Sequence, residues 1–202
     1  KGLKFKLSEI AGCLITHDHK DHCKAVEKIV QAGIDCYMTE GTAREIGINS
    51  HRIHWIEAKK PFQIGSWRIL PFEAEHDAVE PVGFLLQSGP EKLLFLTDSY
   101  YCRYRFRGLT HIMVECNYSA DILADNLEAG IVDRAQKFRI LQSHFSLENA
   151  KNFLMANDLS RVREIHLIHL SNDNSDAARF KEEIEGLTGL PVYPASAGIE
   201  AG

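Results

Sequence analysis

The sequence predicts a layered α/β domain, and three observations carry that expectation. Apolar strands alternate with amphipathic helical stretches towards both ends of the chain. A strand-rich middle lies between them, as expected when sheets and helices share one core. Composition removes the competing classes: of 202 residues, 45% are hydrophobic and 25% charged, which excludes disordered, collagen-like and coiled-coil chains. The length suits a single domain, residues 1–202, able to bury a core without staples. No apolar run approaches the roughly 18–20 residues of a membrane span. The opening KGLKFKLSEI has neither the apolar core nor the cleavage site of a signal peptide, so a cytoplasmic protein with no membrane partner is expected. Five cysteines without a CxxC pair argue against a disulfide framework and fit a reducing compartment. A net charge of -5 excludes a surface that attracts nucleic acid everywhere, though not a local basic patch.

In chain order, GCLIT (12–16) reads as a short strand. Residues 21–32 read as one helix, with Ala25, Val26, Ile29 and Val30 on one face and Gly33 as its stop. CYMT (36–39) is a strand and 42–46 a short helix. Five strands follow, IHWI, FQI, WRILPFEA, VGFLLQS and KLLFLT, separated by Lys-Pro, Ile-Gly and Gly-Pro breakers. HIMVEC (111–116) is a buried-looking strand, 119–129 helical, and 147–156 a helix led by Ser146. A strand over 164–168, an amphipathic helix over 177–187 and a last strand, PVY (191–193), complete the chain.

The chemistry concentrates in Thr16-His17-Asp18-His19-Lys20-Asp21-His22. Three histidines and two aspartates fall within six residues, directly after a strand and before a helix. Such a turn lets side chains from neighbouring positions converge, which neither a regular strand nor a regular helix allows. Imidazole nitrogens with carboxylate oxygens suit Zn²⁺, Mn²⁺ or Fe²⁺. The plainer alternative is a solvated polar loop. Three further residues, His76, Asp98 and His169, each follow an apolar run and so belong at strand ends.

HDHKDH has the form His-x-His-x-Asp-His and resembles the signature of the metallo-β-lactamase fold superfamily, with His76, Asp98 and His169 following in that family's order. The resemblance implies a four-layer αββα sandwich and two divalent metal ions. His17, His19 and His76 would hold one ion, Asp21, His22 and His169 the other, and Asp98 would bridge them. A hydroxide shared by the two would be the nucleophile. The family's usual leading strands, with their Gly/Ser-rich turn, are not visible before His17, so the expected sandwich lacks them. Asp18 and Lys20 occupy variable positions and take no ligand role; Asp18 either orients a histidine or faces solvent.

SHFSLENAKNFL, VECNYS and HLSNDNSD resemble the nuclease branch of that superfamily: ribonuclease Z, ribonuclease J and, most closely, the YycJ/WalJ-type exonucleases. There the histidine matching His144 protonates the leaving oxygen, a step a phosphodiester needs because an alkoxide leaves poorly. Asp21 and His144 are therefore the candidate catalytic residues. The alternative makes His144 a surface histidine; Ser146 caps the following helix either way. Asn117 and Asn172 either line the cleft or, for Asn172, make a turn. The stretch Tyr100–Arg107 follows Asp98 closely; Arg103 and Arg105 either face phosphates, with the rings stacking on bases, or are merely solvated. His51, His54, His111 and His166 read as structural.

The expected function is a dinuclear metal hydrolase of phosphodiesters, with DNA or RNA as partner. The alternative substrate is small: a cyclic phosphodiester, a thioester or a lactone. The net charge and the absence of a clamping domain favour the small substrate; His144 and the Asp98 bridge favour the phosphodiester. A metal-stabilised binding module without catalysis is the third reading. Oligomeric state stays open, a homodimer included.

Overall fold

The computed structural model describes residues 7–195; the first six residues of the opening KGLKFKLSEI and the last seven residues lie outside the described residues. The described chain forms two compact units, 7–73 with 78–89, and 74–77 with 90–195.

The first unit begins with a short turn, Leu7–Glu9, followed by β1 (Cys13–Leu14), α1 (Lys20–Cys23), α2 (Val26–Gln31), β2 (Cys36–Thr39), α3 (Glu40–Ile46) and β3 (Ile53–Ile56). β1, β2 and β3 run parallel, with Cys13 opposite Cys36 and Cys36 opposite Ile53. The buried side chains of Ile15, Val26, Met38 and Ala43 fill the space beside these strands. β4 (Phe62–Ile64), β5 (Trp67–Glu73) and β6 (Val82–Ser88) form an antiparallel meander. Thr39 accepts the Thr42 backbone N–H to cap α3, and Gly47, at φ 71°, ends it in the left-handed region that glycine enters without penalty.

The second unit holds β7 (Glu91–Leu96), β8 (His111–Glu115), α4 (Ala120–Glu128), α5 (Arg134–Ser143), α6 (Leu147–Met155), β9 (Glu164–Ile168), α7 (Ala177–Thr188) and β10 (Val192–Pro194). These strands are parallel in the order β10-β9-β8-β7. Ile112, Val114, Ile165 and Leu167 are wholly buried, as parallel strands require when both faces are covered. α6 buries Leu147, Ala150, Phe153 and Leu154 at helical spacing, and Ser146 caps it by accepting the Asn149 N–H at 3.1 Å. α7 buries Phe180 and Ile184, one turn apart.

Three elements depart from the sequence reading. The helix expected over 21–32 is interrupted at Lys24 and Ala25 into α1 and α2. The strand expected over 12–16 narrows to Cys13–Leu14, because the chain leaves it to make the histidine turn. α5 was not anticipated at all: its ten residues bury only Ser143 fully and so show little apolar periodicity. Its one legible signal was a capping box, in which Asp133 accepts the Gln136 N–H at 2.8 Å and Gln136 accepts the Asp133 N–H at 2.9 Å. Among the described residues no helix is long and apolar enough to cross a membrane.

An ion-pair network joins the helices of the second unit: Arg179 to Asp121 at 2.6 Å, Arg179 to Glu183 at 2.8 Å and Lys151 to Glu183 at 2.9 Å. The Ser119 hydroxyl and the Arg179 guanidinium beside Asp121 hold its carboxyl down at about 2. A carboxyl held below its ordinary 3.8 adds stability that is complete above that pH and fades as the pH falls towards about 2. Solvent screens these exposed groups, so the effect is small. Denaturant titrations from pH 7 to pH 2 are expected to show a shallower acid loss for Asp121→Asn than for the parent chain, confined to that window.

Candidate active site

In the first unit the turn after β1 delivers the histidines. His19 is extended, at φ -61° and ψ 139°, and stands at the N-cap of α1. The chain thus changes direction between His17 and His22, and the rings gather. The centroid separations are 4.9 Å for His17–His19 and 4.3 Å for His17–His22. Thr16 Oγ1 lies 3.0 Å from His17 Nδ1 and orients the buried ring. Asp21 Oδ2 lies 3.4 Å from His22 Nε2. Asp18 serves the turn: its carboxylate accepts the Val79 N–H at 3.2 Å and its carbonyl accepts the Cys23 thiol at 3.0 Å. The segment around Val79 is itself pinned to α3. The Gly41 N–H donates to Glu80 Oε2 at 2.8 Å, and a Cβ at Gly41 would lie 2.6 Å from Val79 Cγ1, so a larger residue there would have to displace the Val79 and Glu80 side chains.

In the second unit three adjacent parallel strands deliver side chains at their carboxyl ends. Glu115 is the last residue of β8, which lies between β7 and β9. Asp98 follows β7 by two residues and His169 follows β9 by one. Both have left-handed backbones, with φ 46° and 55°, which is strained for residues other than glycine. Glu115 is wholly buried, and its carboxylate collects four donors. Oε1 meets His144 Nδ1 at 2.7 Å and His169 Nδ1 at 3.0 Å; Oε2 accepts the N–H groups of Ser99 at 3.0 Å and Phe145 at 3.1 Å. The His144 and His169 rings stack with centroids 5.3 Å apart. His76 Nδ1 lies 3.0 Å from the Ser143 carbonyl and its Nε2 lies 3.6 Å from Asp98 Oδ2. The Thr97 hydroxyl donates to Asp98 Oδ1 at 2.7 Å, and His169 Nδ1 lies 3.5 Å from the same oxygen.

The first unit thus brings together His17, His19, Asp21 and His22, and the second brings together His76, Asp98, His144 and His169. Glu115 completes the second group, and sequence reasoning missed it. Its signal was a carboxylate closing the apolar run HIMVE. The Asn117 carboxamide donates to the His169 carbonyl at 2.8 Å and lies 3.2 Å from His169 Nδ1, which places it as a support of that histidine. Arg103 is exposed and ion-paired to Glu75, and Asn172 is exposed in a turn. Arg105 is exposed and lines a cavity described below. Phe106 is buried against Phe153. His54 stacks on Tyr37, and His166 pairs with Glu164 and stacks on Tyr193, so each has a structural partner. Burial pushes the Cys102 thiol up to about 11, and burial and the neighbouring Glu115 raise Cys116 further, so neither is a nucleophile at neutral pH.

The donor set fits divalent cations. Asp98, Glu115, His144 and His169 each offer an oxygen or nitrogen, all within 4.8 Å of one another. His17 and His76 each have Nδ1 beside a protein oxygen, the arrangement that fixes a histidine ring for ligation through Nε2.

A family model described as the β-lactamase superfamily domain matches residues 3–170. Exodeoxyribonuclease WalJ of Streptococcus pneumoniae serotype 2 is 28% identical over 184 residues, which span 84% of this chain and 67% of that protein. Exodeoxyribonuclease YycJ of Bacillus anthracis is 25% identical over 190 residues, spanning 87% and 69%. Among solved structures, the metallo-β-lactamase fold protein YhfI from Bacillus subtilis superposes with a TM-score of 0.72 at 15% identity. That superposition covers 97% of this chain and 79% of the other, a likeness of fold.

Removing the Glu115 carboxylate strands two buried backbone N–H groups besides the histidines. Glu115→Ala is expected to lower unfolding stability by at least about 2 kcal/mol. Glu115→Gln, which retains an acceptor, is expected to cost less; chemical denaturation of both variants checks the order.

Proposed function

The chain belongs to the β-lactamase superfamily domain family and takes its α/β fold, and from this premise we propose a metal-dependent hydrolase of phosphodiesters, acting as a nuclease on DNA or RNA. One observation carries the reading: His144 is held by the buried carboxylate of Glu115 beside Asp98 and His169. With Nδ1–H committed to Glu115, the proton that His144 delivers is the one on Nε2. Glu115 fixes the ring's orientation and leaves Nε2 as the nitrogen from which a general acid would serve a departing alkoxide. His144 gives up that proton as the P–O bond breaks, and Glu115 keeps the remaining imidazole in one tautomer.

In this reading His17, His19 and His76 would hold one divalent ion and Asp21, His22 and His169 a second, with the Asp98 carboxylate available to both. Zn²⁺, Mn²⁺ and Fe²⁺ all suit such nitrogen and oxygen donors. Such ions, once bound, supply Lewis acidity and lower the pKa of water. The protein's own part is orientation. Thr16 holds His17, Ser143 holds His76, and Glu115 with Asn117 holds His169.

A polynucleotide is the substrate we favour. The names of WalJ and YycJ support it, and so does α5, which carries Arg134, Lys137 and Arg139 with no acidic residue and ends directly before His144. The net charge of -5 favours the second reading, a small phosphodiester.

Elemental analysis of the full chain is expected to find two divalent ions per molecule. Chelation is expected to abolish cleavage of oligonucleotides, and added Mn²⁺ or Zn²⁺ to restore it. His144→Ala is expected to keep both ions and lose about 100-fold or more in kcat. Full activity in that variant refutes the proton-donor role. Cleavage of small diesters alone favours the second reading.

A further inference from the structure

The second unit contains a half-open cavity of about 110 Å³ that the chemistry above does not use. Phe145 and Phe153, both buried, line it, with Cys102. Exposed Tyr101 and Arg105, from the segment after Asp98, contribute the other side, and the carboxamides of Asn149 and Asn152 on α6 join them.

Its walls are tied to the candidate site by short links. Phe145 follows His144 directly, and its N–H is bound by Glu115. The Ser99 N–H is bound by the same carboxylate, and the Ser99 hydroxyl donates to the Tyr101 carbonyl at 2.7 Å. The Asn149 carboxamide donates to the Tyr100 carbonyl at 2.9 Å, closing α6 onto that segment. The carboxylate that holds the proton donor therefore also holds two walls of the cavity.

The lining selects a class of ligand. A fully apolar cavity of about 150 Å³ takes a benzene ring, so a half-open one of 110 Å³ suits a planar single ring, with anything larger overhanging its mouth. Aromatic and guanidinium groups offer planar surfaces for stacking, and carboxamides present a donor and an acceptor to a ring edge. An aliphatic ligand uses none of these polar groups. We propose that this cavity receives one unstacked nucleobase at the end of a single-stranded nucleic acid, pyrimidines fitting within it and purines overhanging. The proposal rests on the phosphodiesterase reading above and names its substrate class: an unpaired end, gripped by its terminal base while the adjoining phosphodiester lies at the site.

The test compares oligonucleotides ending in thymidine with the same strands ending in an abasic residue, the change placed at the 5′ and then the 3′ end. For the metal-loaded protein, kcat/KM is expected to fall roughly 5- to 100-fold when one of these bases is missing, the range of one base–aromatic stack. In Tyr101→Ala/Asn152→Leu, with both substitutions at exposed positions, that ratio is expected to collapse towards one. Saturation-transfer NMR with thymidine monophosphate supplies a readout without turnover: the base protons are expected to take up saturation more strongly than the sugar protons, and the double variant to remove the difference. Equal cleavage of base-bearing and abasic ends, or an unchanged ratio in the variant, overturns the proposal. If no oligonucleotide is cleaved, the nuclease reading fails. Base saturation that the double variant removes then retains the cavity as a nucleotide site, and its absence rejects both.

Discussion

The second unit is organised around one buried carboxylate. Burying a charge is costly unless it is fully hydrogen-bonded, and Glu115 meets that condition with four donors from four different residues. Two are imidazoles and two are backbone N–H groups, so the same interaction fixes side chains and loops together. The strand order makes this feasible. β8 lies between β7 and β9, so a residue at its tip has Ser99 on one flank and His169 on the other. A carboxylate at the tip of an outer strand would reach only one of them. The interaction that stabilises three loop ends therefore also selects which nitrogen of His144 faces the protein.

Positive φ at Asp98 and His169 belongs to the same arrangement. Each residue sits where a parallel strand ends and the backbone must turn sharply to bring its side chain into the group. Left-handed backbone at a non-glycine residue costs of order 1–3 kcal/mol and persists only where surrounding bonds over-determine it. Here they do. Asp98 receives the Thr97 hydroxyl, and His169 is held through its ring by Glu115 and through its carbonyl by Asn117. Ligand open positions at strand carboxyl ends are a general outcome of parallel sheets, since the turns there carry side chains free of the ladder. This chain adds strain to that outcome and offsets it with a polar network.

What could be read from the sequence was what depends on local pattern. The strands of the middle region and β7, β8 and β9 fell close to their expected places, because each is a continuous apolar run between breakers. The turn His17–His22 was legible because its ligand-type residues are adjacent in the chain. Glu115 was not, because a single carboxylate after four strand residues has no periodicity to mark it, and its partners are 29 and 54 residues away. α5 escaped for a different reason: a helix that buries almost nothing has no apolar stripe, and only its capping box marks it. Asn117 was expected to line the cleft because the resemblance places asparagine near the metal-bearing strand ends. Its hydrogen bond to the His169 carbonyl, visible only in three dimensions, adds the support of that histidine to this expectation.

Electrostatics bears on how a chain with 28 acidic and 23 basic residues would meet the polyanion proposed as its substrate. Exposed charges farther apart than about 8 Å are largely screened at physiological ionic strength, so the total says little about any one cleft. What counts is the local set. α5 carries Arg134, Lys137 and Arg139, the last of them 3.6 Å from the Asp77 carboxylate, and Arg105 lines the cavity with Phe145. Many of the acids are taken up structurally: Asp121 and Glu183 join helices, Glu75 binds Arg103, and Glu115 is buried. If the cavity receives a base as proposed, it would add binding free energy that does not depend on charge, because every base has a face to stack. An unpaired end held as proposed would need few phosphate contacts. On the same proposal a long duplex, which presents no unstacked base, would gain nothing from the cavity.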